Sequence, residues 1–197
     1  MKKDFLKEKR IMESAVKIFA RDGFERATVD EIAADAGVGK GTIYRYYNSK
    51  EEILRSIFQI LITELRVSLR AVTRNYENDF SGTYTAVMKH YFDFFRERKE
   101  TFILINEINS QLLHDFFDFY LKEMHSLVDL IEDKVREGLI RPVKPETVLL
   151  SILGIFNIFL YREIRLGIKM TKNVFNDIHQ FISIGLLTEK GIKTWKL

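Results

Sequence analysis

One stretch decides the fold class of this chain. Residues 28–52 have the sequence TVDEIAADAGVGKGTIYRYYNSKEE. Thr28 and Glu31 have the spacing of a capping box, in which a Thr and a Glu three residues later satisfy the first free N–H groups of a helix. Gly37 stands where that helix ends, in a position suited to the left-handed backbone conformation. The stretch therefore predicts short helices joined by a tight turn.

Small and apolar residues in this stretch have the spacing of a helix-turn-helix motif. Ala33 is a small residue where two crossing helices touch, and Gly37 lies in the turn. Val38 and Ile43 then anchor the second helix of the motif against the core. On spacing alone an unrelated helical hairpin is the alternative to a DNA-reading motif.

The outward face of the helix around Ile43 suits contact with nucleic acid. If Ile43 faces the core, the side chains free to face outward are those of Thr42, Tyr44, Arg45 and Tyr46. Tyrosines beside an arginine form a good contact surface for sugar, phosphate and base edges.

Two glycines, Gly39 and Gly41, flank Lys40 at the start of the same helix. A glycine inside a helix costs roughly 1 kcal/mol relative to alanine. That cost is understandable where the backbone lies against another surface, here the DNA. The alternative is that the glycines only continue the turn.

The distribution of charge agrees with a DNA-facing N-terminal part. Residues 1–50 contain eleven Lys/Arg and eight Asp/Glu, whereas the remaining 147 residues contain twenty of each. Residues 36–50 contain Lys40, Arg45 and Lys50 and no acidic residue. Such a stretch is either a phosphate-facing surface or an ordinary solvated face.

The remaining periodicity predicts an all-α fold. A second capping box, Ser49 with Glu52, opens a long fourth helix with Ile53, Ile57, Leu61 and Leu65 on its inner face. Further helices are predicted over residues 5–20, 29–36, 42–46, 83–96, 101–110, 112–137, 145–166 and 173–187. We expect a helix-turn-helix DNA-binding domain over residues 1–50, with its motif over residues 28–47. A helical effector-binding and dimerisation domain is expected over residues 51–197.

Several classes of protein are disfavoured by the composition. The absence of cysteine excludes disulfides, thiolate metal sites and cysteine catalysis. The four histidines lack the Glu-x-x-His pattern of helical di-metal bundles, and no phosphate loop or nucleophile elbow is present. We therefore expect no enzyme, no metal and no cofactor.

The N-terminus does not have the pattern of a signal peptide, and the longest apolar stretch, residues 148–161, is too short for a membrane span. We expect a buried helix there and a soluble cytoplasmic protein.

The stretch from Thr28 to Glu52, with AVKIFARDGFERA at residues 15–27, strongly resembles the N-terminal domain of TetR (tetracycline-repressor) family transcriptional regulators. The resemblance covers about residues 8–62. It implies a homodimer that binds a palindromic operator in double-stranded DNA, and repression as the sign of regulation.

The resemblance also implies which residues contact DNA. Thr28 matches a residue that hydrogen-bonds a phosphate. Tyr46 and Lys50 match positions that grip backbone phosphates. The residues in or beside the major groove would be Gly39, Lys40, Gly41, Thr42, Tyr44 and Arg45. One departure is visible, because family members often have His-Phe where this chain has Tyr46-Tyr47; we expect Tyr47 in the core.

The resemblance implies a four-helix bundle between the last two helices of each protomer. Apolar residues compatible with such an interface are Ile152, Ile155, Phe156, Phe159, Phe181, Ile184 and Gly185. The alternative is that these side chains belong to the core of one protomer.

The middle helices would surround an effector pocket. Candidate lining residues are Tyr91, Phe92, Phe95, Phe102, Asn106, Asn109, His114, Phe117, Asn157 and Tyr161. Such an apolar cavity suits a small lipophilic or aromatic effector, which would release the regulator from its operator. The alternative is an architectural or protein-partner-controlled DNA-binding protein without a small-molecule effector.

Overall fold

The computed structural model describes residues 2–74, 80–107 and 110–195, and within these ranges the chain is all-α. Its helices are α1 (Lys2–Asp22), α2 (Val29–Ala36), α3 (Lys40–Tyr46), α4 (Lys50–Arg74), α5 (Phe80–Arg96), α6 (Lys99–Glu107), α7 (Ser110–Glu123), α8 (His125–Arg136), α9 (Pro145–Leu166), α10 (Lys172–Leu186) and α11 (Glu189–Thr194). The long fourth helix confirms the predicted architecture.

The chain folds into two compact units. The N-terminal unit contains Met1–Glu64 and Arg98–Phe119, and the C-terminal unit contains Leu65–Glu97 and Tyr120–Leu197. The predicted division into domains at residue 50 stays a prediction.

The predicted capping box and turn are both present around α2. The Thr28 hydroxyl accepts a hydrogen bond from the Glu31 N–H, and the Glu31 carboxylate accepts one from the Thr28 N–H at 2.9 Å. Gly37 ends α2 with φ 64°, a conformation that costs glycine nothing and other residues about 1–2 kcal/mol. The N–H groups of Gly37 and Val38 then satisfy the last carbonyls of α2.

The core of the N-terminal unit holds the helix-turn-helix helices together. Ile43 is the buried residue of α3, 1% exposed, and it packs in the same cluster as Ile32 of α2 and Ile11 of α1. Truncating a buried isoleucine to alanine costs about 2–5 kcal/mol. The position of α3 therefore depends on this one side chain.

The second capping box differs in one partner from the prediction. The Glu52 N–H donates to the Ser49 hydroxyl at 3.2 Å, as expected. The Glu52 carboxylate, however, accepts from the Asn48 N–H at 2.7 Å and from the Asn48 side chain at 2.9 Å. The reciprocal bond is thus made one residue earlier in the chain.

The prediction of one helix over residues 112–137 is wrong, because α7 and α8 are separate helices with Met124 between them. Met124 has φ −90° and ψ 8°, and its side chain is buried. The imidazole Nδ1 of His125 lies 2.9 Å from the Lys122 carbonyl oxygen at the end of α7. No glycine or proline lies at this break. The helix is interrupted instead by the packing of Met124 and by the contact of His125 with the end of α7.

Other helix bounds differ less. α5 begins at Phe80, three residues before the predicted start at residue 83, and α6 spans Lys99–Glu107 instead of residues 101–110. The sequence did not predict α11. Thr188 caps that helix by accepting from the Gly191 N–H at 3.1 Å. A side chain at residue 191 would place its Cβ 2.1 Å from the Leu139 carbonyl oxygen, so only glycine permits this close approach.

The apolar stretch predicted as a buried helix lies in α9, which is covered on one side only. Among the described residues α9 alone is long and apolar enough to cross a membrane, and 33% of its most apolar window is buried. Phe156 and Leu160 are fully buried, whereas Ile158 is 55% exposed. Near its end, Glu163 forms a bidentate ion pair with Arg96 of α5 at 2.7 and 2.9 Å.

Candidate nucleic-acid interface

α3 presents a polar and aromatic face on the surface of the N-terminal unit. Lys40, Gly41, Tyr44 and Arg45 are exposed, with 47% of Tyr44 accessible, while Thr42 is half-buried. These side chains face outward because Ile43 occupies the core. The arrangement follows directly from the 3.6-residue period of the helix.

The two glycines of this face have no internal reason to be glycine. A Cβ built on Gly39 or on Gly41 meets no atom within 4 Å, and neither residue has a positive φ. Gly41 lies inside α3, so it does not continue the turn, and Gly39 is the N-cap residue of α3. The absence of side chains at both positions leaves the backbone of α3 open to close approach by another molecule.

Lys40 is held by an acidic residue of α2. Its ammonium group lies 2.8 Å from the carboxylate of Asp30, and both side chains are at least half exposed. The hydrogen bond to Asp30 raises the pKa of Lys40. An exposed ion pair of this kind contributes at most about 1 kcal/mol. Lys40 can therefore exchange its carboxylate partner for a phosphate at small cost.

Arg45 and Tyr46 form a pair at the end of α3. The Arg45 guanidinium donates to the Tyr46 hydroxyl at 3.1 Å and lies 5.1 Å from the centre of the tyrosine ring. Tyr47, in contrast, is 4% exposed and belongs to the core, which confirms the prediction for that residue. Burial raises the pKa of the Tyr47 hydroxyl.

Lys50 has an internal role that the sequence did not reveal. Its ammonium group donates to the carbonyl oxygens of Phe24 and Glu25 at 2.8 Å and to that of Ala27 at 3.3 Å. The same group lies 4.7 Å from the centre of the Phe24 ring. All three ammonium N–H groups thus have partners within the N-terminal unit. The expected phosphate contact of Lys50 stays a prediction, and any phosphate would compete with these carbonyls.

Thr28 is also engaged within the protein. Its hydroxyl donates to the Glu31 carboxylate at 2.7 Å, although the side chain is exposed. A hydrogen bond from Thr28 to a phosphate would replace this donation while leaving the backbone N–H of Thr28 bonded to Glu31. Glu31 and Asp30 are therefore neighbours of the candidate surface that sequence reasoning did not single out.

The sequence and the fold are both similar to those of known proteins. Residues 11–57 match the model of the bacterial regulatory proteins of the tetR family. Residues 11–57 therefore form a DNA-binding domain of the TetR family. The matched residues include α2 and α3 with the capping box, the Gly37 turn and the Ile43 anchor described above.

Similarity extends beyond the DNA-reading motif. The uncharacterised HTH-type transcriptional regulator YhgD of Bacillus subtilis is 27% identical over 159 residues, which are 76% of this chain and 80% of that relative. The fatty acid degradation regulator FadR of Bacillus halodurans has the same fold with a TM-score of 0.75, 24% identity and coverage of 90% of this chain and 98% of that chain. FadR of Bacillus subtilis in complex with stearoyl-CoA gives a TM-score of 0.73 at 18% identity, covering 89% and 97%. With this N-terminal domain and these relatives, the chain is a DNA-binding transcriptional regulator and not an enzyme.

The residues expected to line an effector pocket lie in different places in this regulator. Tyr91, Phe92 and Phe95 are buried on α5, and Asn157 and Tyr161 are half-buried on α9, all in the C-terminal unit. Four others belong to the N-terminal unit: Phe102, Asn106, His114 and Phe117. Asn109 lies outside the described residues.

None of the expected residues lines the cavity that the C-terminal unit contains, which is formed by side chains such as Tyr84, Val87 and Leu149. The predicted pocket stays a prediction.

The expected dimer-interface residues separate into three sets. Phe181, Ile184 and Gly185 of α10 are exposed, with 72% of Phe181 accessible. Ile152 and Phe156 of α9 are buried within the protomer. The residues between these extremes, Ile155 and Phe159, are partly exposed.

Proposed function

We propose that this TetR-family regulator is a cytoplasmic repressor that binds a palindromic operator as a homodimer and is released by a small lipophilic effector. The observation that carries the DNA-binding part is the outer face of α3. That face exposes Lys40, Tyr44 and Arg45 around two glycines that nothing within the protein requires. α3 has the position of the helix that enters the major groove in helix-turn-helix proteins.

We assign the DNA contacts to two groups. The face of α3 would lie in or beside the major groove, within reach of base edges, sugars and the adjoining phosphates, with Gly39, Lys40, Gly41, Thr42, Tyr44 and Arg45. Backbone phosphates would be contacted by Thr28 and Tyr46, and by Lys50 in competition with its carbonyl partners. Phosphate contacts position a protein on DNA, whereas base contacts select the sequence.

Two-fold symmetry is supported by the exposed apolar surface of the C-terminal unit. Phe181 and Ile184 of α10 and Ile158 of α9 are each more than half exposed. Large apolar side chains left exposed in this way are typical of an interface. A symmetric dimer built on this surface would present two copies of α3 to two half-sites, and a palindrome is the DNA sequence that matches this symmetry.

Control by an effector is supported by an apolar cavity in the C-terminal unit and by one relative. The relative is the Bacillus subtilis FadR, whose solved structure contains stearoyl-CoA. An effector changes DNA affinity only if it binds one conformation of the regulator more tightly than another. We infer that the effector disfavours the conformation that binds the operator.

Selection of bound sequences from random DNA tests the regulator directly. We expect a single palindromic sequence to be enriched, and the purified protein to bind it as a dimer. Enrichment without any common sequence, with affinity that depends only on salt, would instead show an architectural DNA-binding protein. Repeating the selection with a metabolite extract tests the effector, since a regulator controlled only by a protein partner would not respond.

A further inference from the structure

The C-terminal unit contains a cavity whose walls are almost entirely apolar. It encloses about 70 Å³ of space and opens to solvent on one side. Val87 of α5, Leu149 of α9 and Ile182 of α10 are among the residues of its wall. No residue of the described wall carries a charge.

Three side chains at or beside this cavity have buried polar atoms without hydrogen-bond partners. They are Tyr84, whose hydroxyl is unpartnered, His179, with both ring nitrogens unpartnered, and Trp195, with its indole nitrogen unpartnered. Tyr84 is 8% exposed and His179 is 1% exposed. The one other unpartnered side-chain atom in the described part of the chain belongs to Arg66, which is ion-paired with Glu123 at 2.6 Å.

The three rings touch one another. The ring centres of Tyr84 and His179 are 4.8 Å apart, those of His179 and Trp195 are 4.7 Å apart, and those of Tyr84 and Trp195 are 5.2 Å apart. Tyr84 and Trp195 both belong to the cavity wall, and His179 lies behind them. The unpartnered groups therefore form one polar site at an otherwise apolar cavity.

A buried donor without a partner costs roughly 1–3 kcal/mol, so native proteins contain few of them. Three such side chains in mutual contact indicate a site whose partner comes from outside the chain. The indole N–H only donates, the tyrosine hydroxyl donates or accepts, and a neutral imidazole does one of each. A single oxygen atom that accepts two hydrogen bonds matches this set.

We propose that the cavity binds an uncharged, largely apolar molecule whose carbonyl or hydroxyl oxygen is held by Tyr84 and Trp195, with His179 as their supporting neighbour. This molecule would be the effector of the proposed function, and its role in regulation rests on that function. The apolar part of the ligand fills the space beside Val87, Leu149 and Ile182.

The lack of a cation in the wall excludes an ionised head group from this ligand class. A buried carboxylate or phosphate requires a charged partner to offset its desolvation, and the described cavity wall contains no cation. Burial also lowers the pKa of His179, which keeps that ring neutral at physiological pH. An alcohol, a ketone or the carbonyl of an ester or thioester fits, whereas a free fatty acid anion does not.

Trp195 is the sole tryptophan of the chain, so its fluorescence reports on this site directly. We would titrate the full-length protein with 1-dodecanol at pH 8 and follow Trp195 emission, with ionised dodecanoate as the charged counterpart. Stearoyl-CoA forms a third arm, because its thioester carbonyl has the same chemistry. We expect saturable changes with 1-dodecanol and weaker binding of dodecanoate.

Two buried tyrosines of the C-terminal unit provide a matched pair of variants. Tyr84→Phe removes only the hydroxyl at the cavity and should weaken binding of 1-dodecanol about fivefold or more. Tyr120→Phe removes a hydroxyl from a buried tyrosine of the same unit outside the cavity wall, and should leave binding unchanged. Trp195→Phe tests the second hydrogen-bond donor, the indole N–H. Because this variant has no tryptophan fluorescence, ligand binding is measured by thermal shift. It also replaces Tyr84→Phe as the test if that variant does not fold.

The outcomes separate this site from the proposed function. No saturable response to 1-dodecanol in protein that binds its operator would overturn the site and leave DNA binding intact. Tighter binding of dodecanoate than of 1-dodecanol would contradict the uncharged head group. Equal losses of affinity in both tyrosine variants would contradict the hydrogen bond from Tyr84. Binding that leaves operator affinity unchanged supports the site and contradicts effector control.

Discussion

The ammonium group of Lys50 lies 2.8 Å from the backbone carbonyl oxygen of Phe24 and 4.7 Å from the centre of the Phe24 ring. Lys50 opens α4, and Phe24 lies in the loop that leads from α1 to the N-cap of α2. The contact therefore ties the start of α4 to the entry of the helix-turn-helix motif. A residue that the family resemblance associates with phosphate acts here as an internal link.

Lys50→Met should destabilise the N-terminal unit. The change keeps an apolar stem but removes hydrogen bonds from a charged donor to three carbonyls, and we expect the free energy of unfolding to fall by about 1.5–3 kcal/mol. Lys40→Met, which removes an exposed ion pair with Asp30, should cost less than about 1 kcal/mol. Urea denaturation measures both. Equal stability of Lys50→Met and wild type would show that the link contributes nothing to folding.

Lys40→Ala should weaken operator binding and reduce its dependence on salt. Loss of one phosphate contact lowers the slope of log affinity against log salt by about 0.9. Lys89→Ala is the matched control, because Lys89 is another exposed lysine paired with an aspartate, Asp93 at 2.6 Å. Binding measured by fluorescence anisotropy between 50 and 200 mM salt, about the range over which such slopes are resolved, separates the two. Identical slopes for both variants would remove Lys40 from the DNA surface.

Gly41→Ala should stabilise the fold and weaken DNA binding at once. The new Cβ meets no atom of the protein, and alanine is favoured over glycine in a helix by about 1 kcal/mol. A methyl group on the face of α3 would, however, hold the backbone away from DNA. Thermal melts and operator affinity are the two measurements. Gly23→Ala is the control for stability. Gly23 has φ 82°, so alanine at this position should make the protein less stable. A stabilised Gly41→Ala with full affinity would show that α3 does not approach DNA closely there.

Phe181→Glu should disrupt the proposed dimer and leave the protein monomeric. Phe181 is 72% exposed in the protomer, so the variant folds normally, but a charge within an apolar interface costs several kcal/mol. Sedimentation equilibrium gives the oligomeric state, and operator affinity should fall together with dimerisation. Phe117→Glu replaces another exposed phenylalanine, 43% accessible on α7, and should remain dimeric. A dimeric Phe181→Glu would place the interface elsewhere.

The stability of the protein should decrease on mild acidification because of His179. Burial lowers the pKa of His179 in the folded protein below its ordinary value. Above about pH 7 the ring is neutral in the folded and the unfolded chain, so it adds no pH dependence. As the pH falls through about 6.5, the unfolded chain takes up a proton that the folded chain does not, and the free energy of unfolding decreases until the lower, folded pKa is reached.

Urea denaturation between about pH 5.5 and 8 tests this, a range chosen to lie above carboxylate titration. His179→Phe should show a flatter dependence on pH than the wild type. His125→Gln, a change at an exposed histidine, should retain the wild-type dependence. A wild type whose stability does not change in this range would contradict the buried, neutral state of the ring.

The sequence by itself determined the helix-turn-helix motif and the all-α class. A capping box, a left-handed glycine and an apolar anchor act through neighbours a few residues apart, so their spacing alone predicts α2, the turn and α3. The same local logic assigned Tyr44 and Arg45 to the outer face once Ile43 was placed in the core. Amphipathic spacing also predicted the inner face of α4, where Ile53 and Leu65 are fully buried.

Only the tertiary structure decided the features that depend on distant residues. Lys50 reaches carbonyls 23 to 26 positions earlier in the chain, and Tyr84 meets Trp195 at the cavity. Phe156, indistinguishable by periodicity from an interface residue, is fully buried in its own protomer. An apolar residue carries the same signal whether it faces a core, a partner or a ligand, because burial depends on what the rest of the chain places against it. The end of α7 at Met124 is decided in the same way, because it depends on packing that no local sequence pattern encodes.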